Sequence, residues 1–350
     1  MKRAAILIAL MFASGLAANR TLAVLQTHTN AAALISTTRP QVRLPGTIYV
    51  SQQGSIYAIA GTKVRRLALP SGGVWTQPRV LPDGSLLVIR RFDAYSDLYH
   101  VSASARVLSQ MTSDDPSTTN RTLQLDHWVL WPSISPDGTE VYFATDAPKP
   151  APNQSYEVDF SLWSAPLGGG FNIGGAGASG GTRWSVPDIY TGGDIQPVPL
   201  PDGSVLYSSY ANTGKGTVVT VLGLQTSPGS RMQALTTPQQ DCGAPAVSPD
   251  GVTVAMVCTH LGQTAELEVA TLSGNALGPL RVLVANCLCN SPSWSPTGDS
   301  LLYMNAADPD GNFGLWYIAG AGGLHHGAPR RVTDSSVDLD ATSAAAWSSR

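Results

Sequence analysis

Gln77–Ile89 reads QPRVLPDGSLLVI. The same phrase, P-x-x-x-P-D-G ahead of an apolar run, returns as WPSISPDGTEVYF at Trp131–Phe143, QPVPLPDGSVLYS at Gln196–Ser208 and APAVSPDGVTVAM at Ala244–Met256. A fifth copy, SPSWSPTGDSLLY at Ser291–Tyr303, carries Thr297 in place of the Asp. The second prolines (Pro82, Pro136, Pro201, Pro249, Pro296) stand 54, 65, 48 and 47 residues apart. A period of this size marks an architecture in which one supersecondary unit stacks on copies of itself.

Turn chemistry gives the phrase a shape. Pro pre-sets the backbone for the second position of a type I turn, Asp suits the third, and Gly accepts the left-handed conformation that follows. That sequence is a common three-residue β-hairpin connection. Each copy is therefore expected to be a hairpin of strands A and B. The first Pro (Pro78 and its equivalents) is expected to open strand A at a sheet edge, where a missing N–H is tolerated. Strand C follows as DLYHV (Asp97–Val101), SLWSA (Ser161–Ala165), ELEVA (Glu266–Ala270) and GLWYIA (Gly314–Ala319). Strand D follows as Arg106-Val107-Leu108, Arg281-Val282-Leu283 and Arg331-Val332. Four short antiparallel strands per repeat describe a β-propeller blade.

The two ends complete the count. After Pro45-Gly46, the run TIYVSQQGSIYAIAGTKVRRLAL supplies strands B, C and D with no strand A before them. Thr342–Arg350, TSAAAWSSR, resembles the strand A phrase and stops where its turn would begin. Joined, they make a sixth blade. The expected fold is all-β, a six-bladed propeller over residues 45–350 whose C-terminal strand closes the ring and removes its open edges.

The repeats, Ser293–Gly323 above all, resemble those of the TolB-type propeller family, whose units read roughly P-x-W-S-P-D-G followed by D-G-N and an aliphatic–aromatic pair. The resemblance implies the fold and leaves the activity open, because such blades serve binding proteins, lyases and peptidase lid domains. It covers the propeller alone. The few dozen residues before Pro45 offer no counterpart to the α/β domain that precedes the propeller in TolB itself.

The chain has 350 residues, 43% hydrophobic and 13% charged, with a net charge of -3. With 21 Lys+Arg and no cationic cluster larger than adjacent pairs such as Arg65-Arg66 and Arg330-Arg331, nucleic acid is not the expected partner. Lys2 and Arg3, the apolar run Ala4–Phe12, and the small residues Gly15, Ala17 and Ala18 read as an export signal. Residues 1–17 form that signal if cleavage follows Ala17. A later cut, such as after Ala23, or an uncleaved anchor are the alternatives. Residues 18–44 read as a loose lead-in, and no other stretch approaches membrane-spanning length. The expected location is periplasmic or extracellular.

Four cysteines in an exported chain suggest disulfides. Cys242 and Cys258 are equidistant from Asp250 and face each other if that hairpin keeps register, which leaves Cys287 with Cys289 in a very tight ring. A link from Cys242 to Cys289 competes, because each lies seven residues before its repeat's Pro.

In propellers that this chain resembles, the D–A and B–C loops share the face where most ligands bind. Here that face receives its longest loops at the third blade, Ser113–Leu130 and Asp146–Asp159. They carry Asp126, His127, Trp128, Tyr156 and Glu157 and lead into Trp131; His260 maps to the same face. These seven residues are the candidate binding site, since aromatics among a few polar groups suit protein or sugar contact. The competing reading is that Trp128 and Trp131 cover the core edge. No cofactor is expected. Asp308-x-Asp310-x-Asn312 has the alternating oxygen spacing of a calcium loop but lacks the later Glu, and a plain D-G-N turn explains it as well. Gly177-Ala178-Ser179-Gly180-Gly181 matches a nucleophile elbow formally, without the strand-turn-helix setting that motif needs.

Two functions follow from these features. The first is a non-catalytic, monomeric scaffold that binds a protein or cell-envelope component through the loop-rich face. The second is a metal-dependent carbohydrate-active enzyme, a lyase or hydrolase, with its site over the axis. Six His and four Glu leave the second short of ligands and acid/base groups.

Overall fold

The computed structural model describes residues 32–113, 127–147, 159–171, 180–188, 190–213, 217–307 and 311–349. Beyond a single turn of 3-10 helix at Ile35–Thr37, their regular structure is β. Four sheets have four strands each. The fifth has eight, because one long strand, Arg281–Trp294, serves two units in turn. Its first half pairs with Ala265–Ser273, and its second half, from Leu288, pairs with Ser300–Ala306. Counting those halves separately, and setting aside the two-residue strand Ala276–Leu277 that pairs only with Ala265–Ser273, gives six four-stranded blades.

Blade 1 is the composite one. Ala346–Ser348 pairs antiparallel with Thr47–Gln52, which continues into Ser55–Ala60 and Lys63–Arg66. Blades 2 to 6 begin with the A strands Val74–Val80, Val129–Ile134, Asp194–Pro199, Cys242–Val247 and residues 288–294. The proposed strands C and D are all present. The chain is a closed β-propeller.

The five apolar clusters each lie between neighbouring blades, which is why the B strands read as continuous apolar runs. Tyr49 and Ile56 of blade 1 meet Trp75 and Leu86 of blade 2. Leu302 and Met304 of blade 6 meet Ile48 and Val50 of blade 1 across the closure. Leu86, Leu87, Val88 and Ile89 have no exposed surface at all, as a strand covered on both faces requires.

All five intact turns form as the phrase implies. In blade 2, Gly84 N–H donates to Leu81 O at 2.9 Å, and Gly84 has φ of +88°. The Asp83 carboxylate accepts the Ser85 N–H at 2.8 Å and the Ser85 hydroxyl at 2.6 Å. In blade 6, where Thr297 replaces Asp, Asp299 takes over from the far side of the Gly. It accepts the Thr297 and Ser295 hydroxyls at 2.8 and 2.9 Å.

Two expectations change. The first Pro of the phrase does not open strand A; it sits in mid-strand, at a β-bulge. Thr76 pairs with Ile89 and Arg79 with Leu87, so three steps along strand A answer two along strand B. The same shift falls at Leu130/Ser133, Ile195/Val198, Gly243/Ala246 and Asn290/Ser293. Bulging removes the N–H-less Pro from the ladder. It also forces the residue before it into the left-handed region, at φ of 51°, 52°, 56°, 52° and 52° for Gln77, Trp131, Gln196, Ala244 and Ser291.

The second change concerns the lead-in. Its described part, from residue 32, is laid against the closure. Ile35 N–H donates to Gln52 Oε1 at 2.7 Å, Ala33 bridges Val337, and Ile35 and Val42 are buried with the blade 6–blade 1 cluster. Its apolar side chains give it a reason to pack that its polar composition concealed.

Candidate functional site

The bulges converge on the axis. A cavity of about 30 Å³ there is lined by the residue pairs at the bulges, among them Gln77, Trp131, Gln196, Ala244 and Ser291. Each bulge turns an N–H out of its own ladder, and the neighbouring blade receives several of them. Ser343 Oγ of blade 1 accepts Gln77 N–H at 2.9 Å. Gln77 Oε1 accepts Trp131 N–H at 2.6 Å, and Gln196 Oε1 accepts Ala244 N–H at 3.1 Å. Ser291 has no such side chain behind it in Ala244; Asn290 Oδ1, one residue back, accepts its N–H at 2.7 Å. Arg79 also lines the cavity, where Ser133, Val198, Ala246 and Ser293 hold the equivalent places. Its Nε donates to Pro132 O of blade 3 at 3.1 Å, and burial lowers its pKa. The axis is thus a cross-blade brace.

The loop-rich face at blade 3 is anchored from both sides. Asp146, at the start of the B–C loop, accepts Trp128 N–H at 2.7 Å, and His127 O accepts Ser96 N–H at 3.1 Å. His127 is 1% exposed, with Nδ1 3.6 Å from Asp146 Oδ1. Neither ring nitrogen has a hydrogen-bond partner among the described residues. Trp128 packs on the core edge, and Trp131 is buried with its ring edge-on to Phe160 at 5.4 Å. These three side chains therefore line the interior beneath the face. Asp126, Tyr156 and Glu157 lie outside the described residues.

What stands outward at this blade is a feature that residue types alone did not indicate. Asp159 closes the B–C loop, and its carboxylate accepts three backbone N–H groups of the following D–A loop. They are Tyr190 at 2.8 Å, Thr191 at 3.0 Å and Gly192 at 2.8 Å. Phe160 bridges Gly193, where a Cβ would meet Phe160 O at 2.2 Å, so only Gly allows the approach. The loop so held presents Tyr190, 63% exposed at φ of 61°, and Val186, 77% exposed. The available signal was Asp159, but its partners lie more than thirty residues away. Beneath the loop, Asp194 is buried, which pushes its carboxyl up to about 6 although hydrogen bonds from Ser209 and Ser185 pull the other way.

His260, on the B–C loop of blade 5, is partly exposed. Its Nε2 lies 2.7 Å from Glu268 Oε1 and 3.8 Å from Glu266 Oε2. Burial raises the Glu268 pKa, and the His260 hydrogen bond opposes that. Cys258 lies close enough to join them as a ligand, but its sulfur is bonded to Cys242. The second disulfide joins Cys287 to Cys289, so the competing Cys242–Cys289 link does not form. Of the calcium candidates, Asp308 and Asp310 lie outside the described residues. The Asn312 amide Nδ2 donates to Ser335 O at 3.3 Å.

No family model and no curated protein matches this sequence. Solved structures do match its fold. TolB from Acinetobacter baumannii superposes with a TM-score of 0.59 at 16% identity, over 91% of this chain and 68% of that one. A TolB of Agrobacterium tumefaciens gives 0.54 at 15% identity, over 84% and 92%. The class of molecule is a β-propeller, and its fold is similar to that of the TolB propellers. At these identities the likeness is one of fold.

Proposed function

We propose that this propeller is an exported, monomeric, non-catalytic scaffold that binds a protein or cell-envelope component through its D–A and B–C loop face. The observation that carries the reading is the Asp159-braced loop. It holds an aromatic and an aliphatic side chain outward, and preset aromatic anchors lower the ordering cost of binding. Two disulfides suit an oxidising compartment. Among the described residues the one metal-competent cluster loses Cys258 to its disulfide, which weighs against the metal-dependent carbohydrate enzyme.

The test is capture of components from a bacterial envelope extract by immobilised protein, identified by mass spectrometry. Tyr190→Ala with Val186→Ser is expected to reduce recovery of a captured component at least ten-fold. Leu324→Ser, on the C–D loop of blade 6 and so on the opposite face, should leave it unchanged. Equal loss with both variants, or none with either, would remove the loop face as the docking surface. Stoichiometric transition metal in the purified protein would favour the enzyme instead.

A further inference from the structure

The two disulfides do different work. Cys242 and Cys258 are directly opposed across strands A and B of blade 5, sixteen residues apart, and both have 0% exposure. Cys287 and Cys289 are separated by Leu288 alone. A bond that closes so short a loop removes very little freedom from the unfolded chain. It also has little left to hold in the folded one. Cys287 is already opposite Ala265 in blade 5, Cys289 is opposite Asn305 in blade 6, and Leu288 N–H donates to Asn305 Oδ1 at 3.1 Å.

The strand is also compact at this point. Alternate residues of an extended strand lie roughly 6.6 Å apart at Cα. Between Cys287 and Cys289 the distance is 5.1 Å. This shortening falls where the long strand leaves blade 5 and enters blade 6, on the loop face, in place of a D–A loop. Cys287 and Cys289 lie at the margin of the apolar cluster between blades 5 and 6, 5% and 6% exposed, and Leu288 between them is 37% exposed.

We propose that Cys287–Cys289 is a thiol–disulfide exchange site whose partner is a thiol or dithiol of the same compartment. A partner thiolate attacks one of the two sulfurs, the S–S bond breaks, and the departing cysteine thiolate takes up a proton. A second partner thiol then attacks the mixed disulfide and releases the other cysteine as a thiol. The partner's two thiols become one disulfide, giving up two electrons and two protons, which Cys287 and Cys289 receive. The reverse sequence reoxidises the site. The small ring, which lies under the exposed Leu288 at a strand junction, favours exchange at this bond, whereas the hairpin bond has no exposure at either cysteine.

The folded full-length protein is incubated with graded dithiothreitol, quenched with N-ethylmaleimide and mapped by peptide mass spectrometry. Two labels are expected, at Cys287 and Cys289, at a reductant concentration at least ten-fold below that which opens Cys242–Cys258, with the circular dichroism spectrum unchanged. In a second measurement, Cys289→Ser treated with oxidised glutathione should gain one glutathione, on Cys287. Opening of both disulfides together and only on unfolding, or prior opening of Cys242–Cys258, overturns the proposal whether or not the variant folds.

Discussion

Asp194 shows how one buried carboxylate couples the candidate face to pH. Its pKa rises to about 6 because burial penalises the charge, and the Ser209 and Ser185 hydrogen bonds recover part of that penalty. The folded protein therefore binds a proton between about pH 4 and 6 that the unfolded chain has released. The Asp194 contribution is favourable at low pH and is lost as pH rises through 6. The turn carboxylates act with the opposite sign. Hydrogen bonds from neighbouring hydroxyls and N–H groups lower the pKa of Asp83, Asp202 and Asp250, so their contribution is present at neutral pH and fades as the solution falls below the usual carboxylate range. Comparison of wild type with Asp194→Asn separates the two effects, since Asn keeps the polar contacts without the charge. The variant is expected to be more stable than wild type at pH 7.5, by an amount on the order of 2–3 kcal/mol, and equal to it near pH 4. Urea unfolding at the two pH values reads this directly. A wild-type-like difference between pH 4 and 7.5 in the variant would show that Asp194 is not the responsible group.

At the level of the element, the X-Pro bulge governs how one blade meets the next. Its left-handed residue is tolerated where the freed N–H finds an acceptor, and for Gln77, Trp131 and Ala244 that acceptor belongs to the preceding blade. Gln77→Ala removes the side-chain oxygen that accepts Trp131 N–H and should lower stability by about 1–3 kcal/mol. Gln196→Ala should be milder, because Ser208 Oγ also accepts Ala244 N–H, at 3.0 Å. Chemical denaturation of both variants gives the ranking, and an equal loss would mean the acceptors are not what the bulges depend on. This device explains why strand A was only partly legible. Pro-Asp-Gly is read from four adjacent residues, because its hydrogen bonds are local, and the hairpins, strands and blade count followed from it. At Trp131 and Ala244 the bulge depends on Gln77 and Gln196, 54 and 48 residues away, so Pro78 and its equivalents read as strand starts. The same limit applies at the face. His127, Trp128 and Trp131 have the composition of a binding site, yet the core takes them, while Tyr190 is turned outward by a carboxylate remote in sequence.

For the whole molecule, stability depends on closure, and the C-terminal strand contributes to it in three ways. Ala346–Ser348 covers the edge of Thr47–Gln52. Ser343 bonds the Ser51 hydroxyl at 2.8 Å and accepts Gln77 N–H, which ties blade 1 to blade 2. Ala345 and the partly buried Trp347 fill the cluster that joins blade 1 to blade 6. Deletion of residues 342–350 should therefore do more than fray an end. It uncovers an unpaired strand edge next to an apolar cluster, the arrangement that promotes edge-to-edge association. The truncated protein is expected to lose amide protection first at 47–66, and to elute from size-exclusion columns as concentration-dependent oligomers. A synthetic peptide of residues 342–350 should restore both protection and the elution position of the intact protein, since it replaces strand A in trans. A truncated protein that stays monomeric with protection at 47–52 intact would mean that blade 1 is stable as three strands. The ring would then be held by the lead-in packed at Ile35 and Val42, and not by the strand that completes the sixth copy of the repeat.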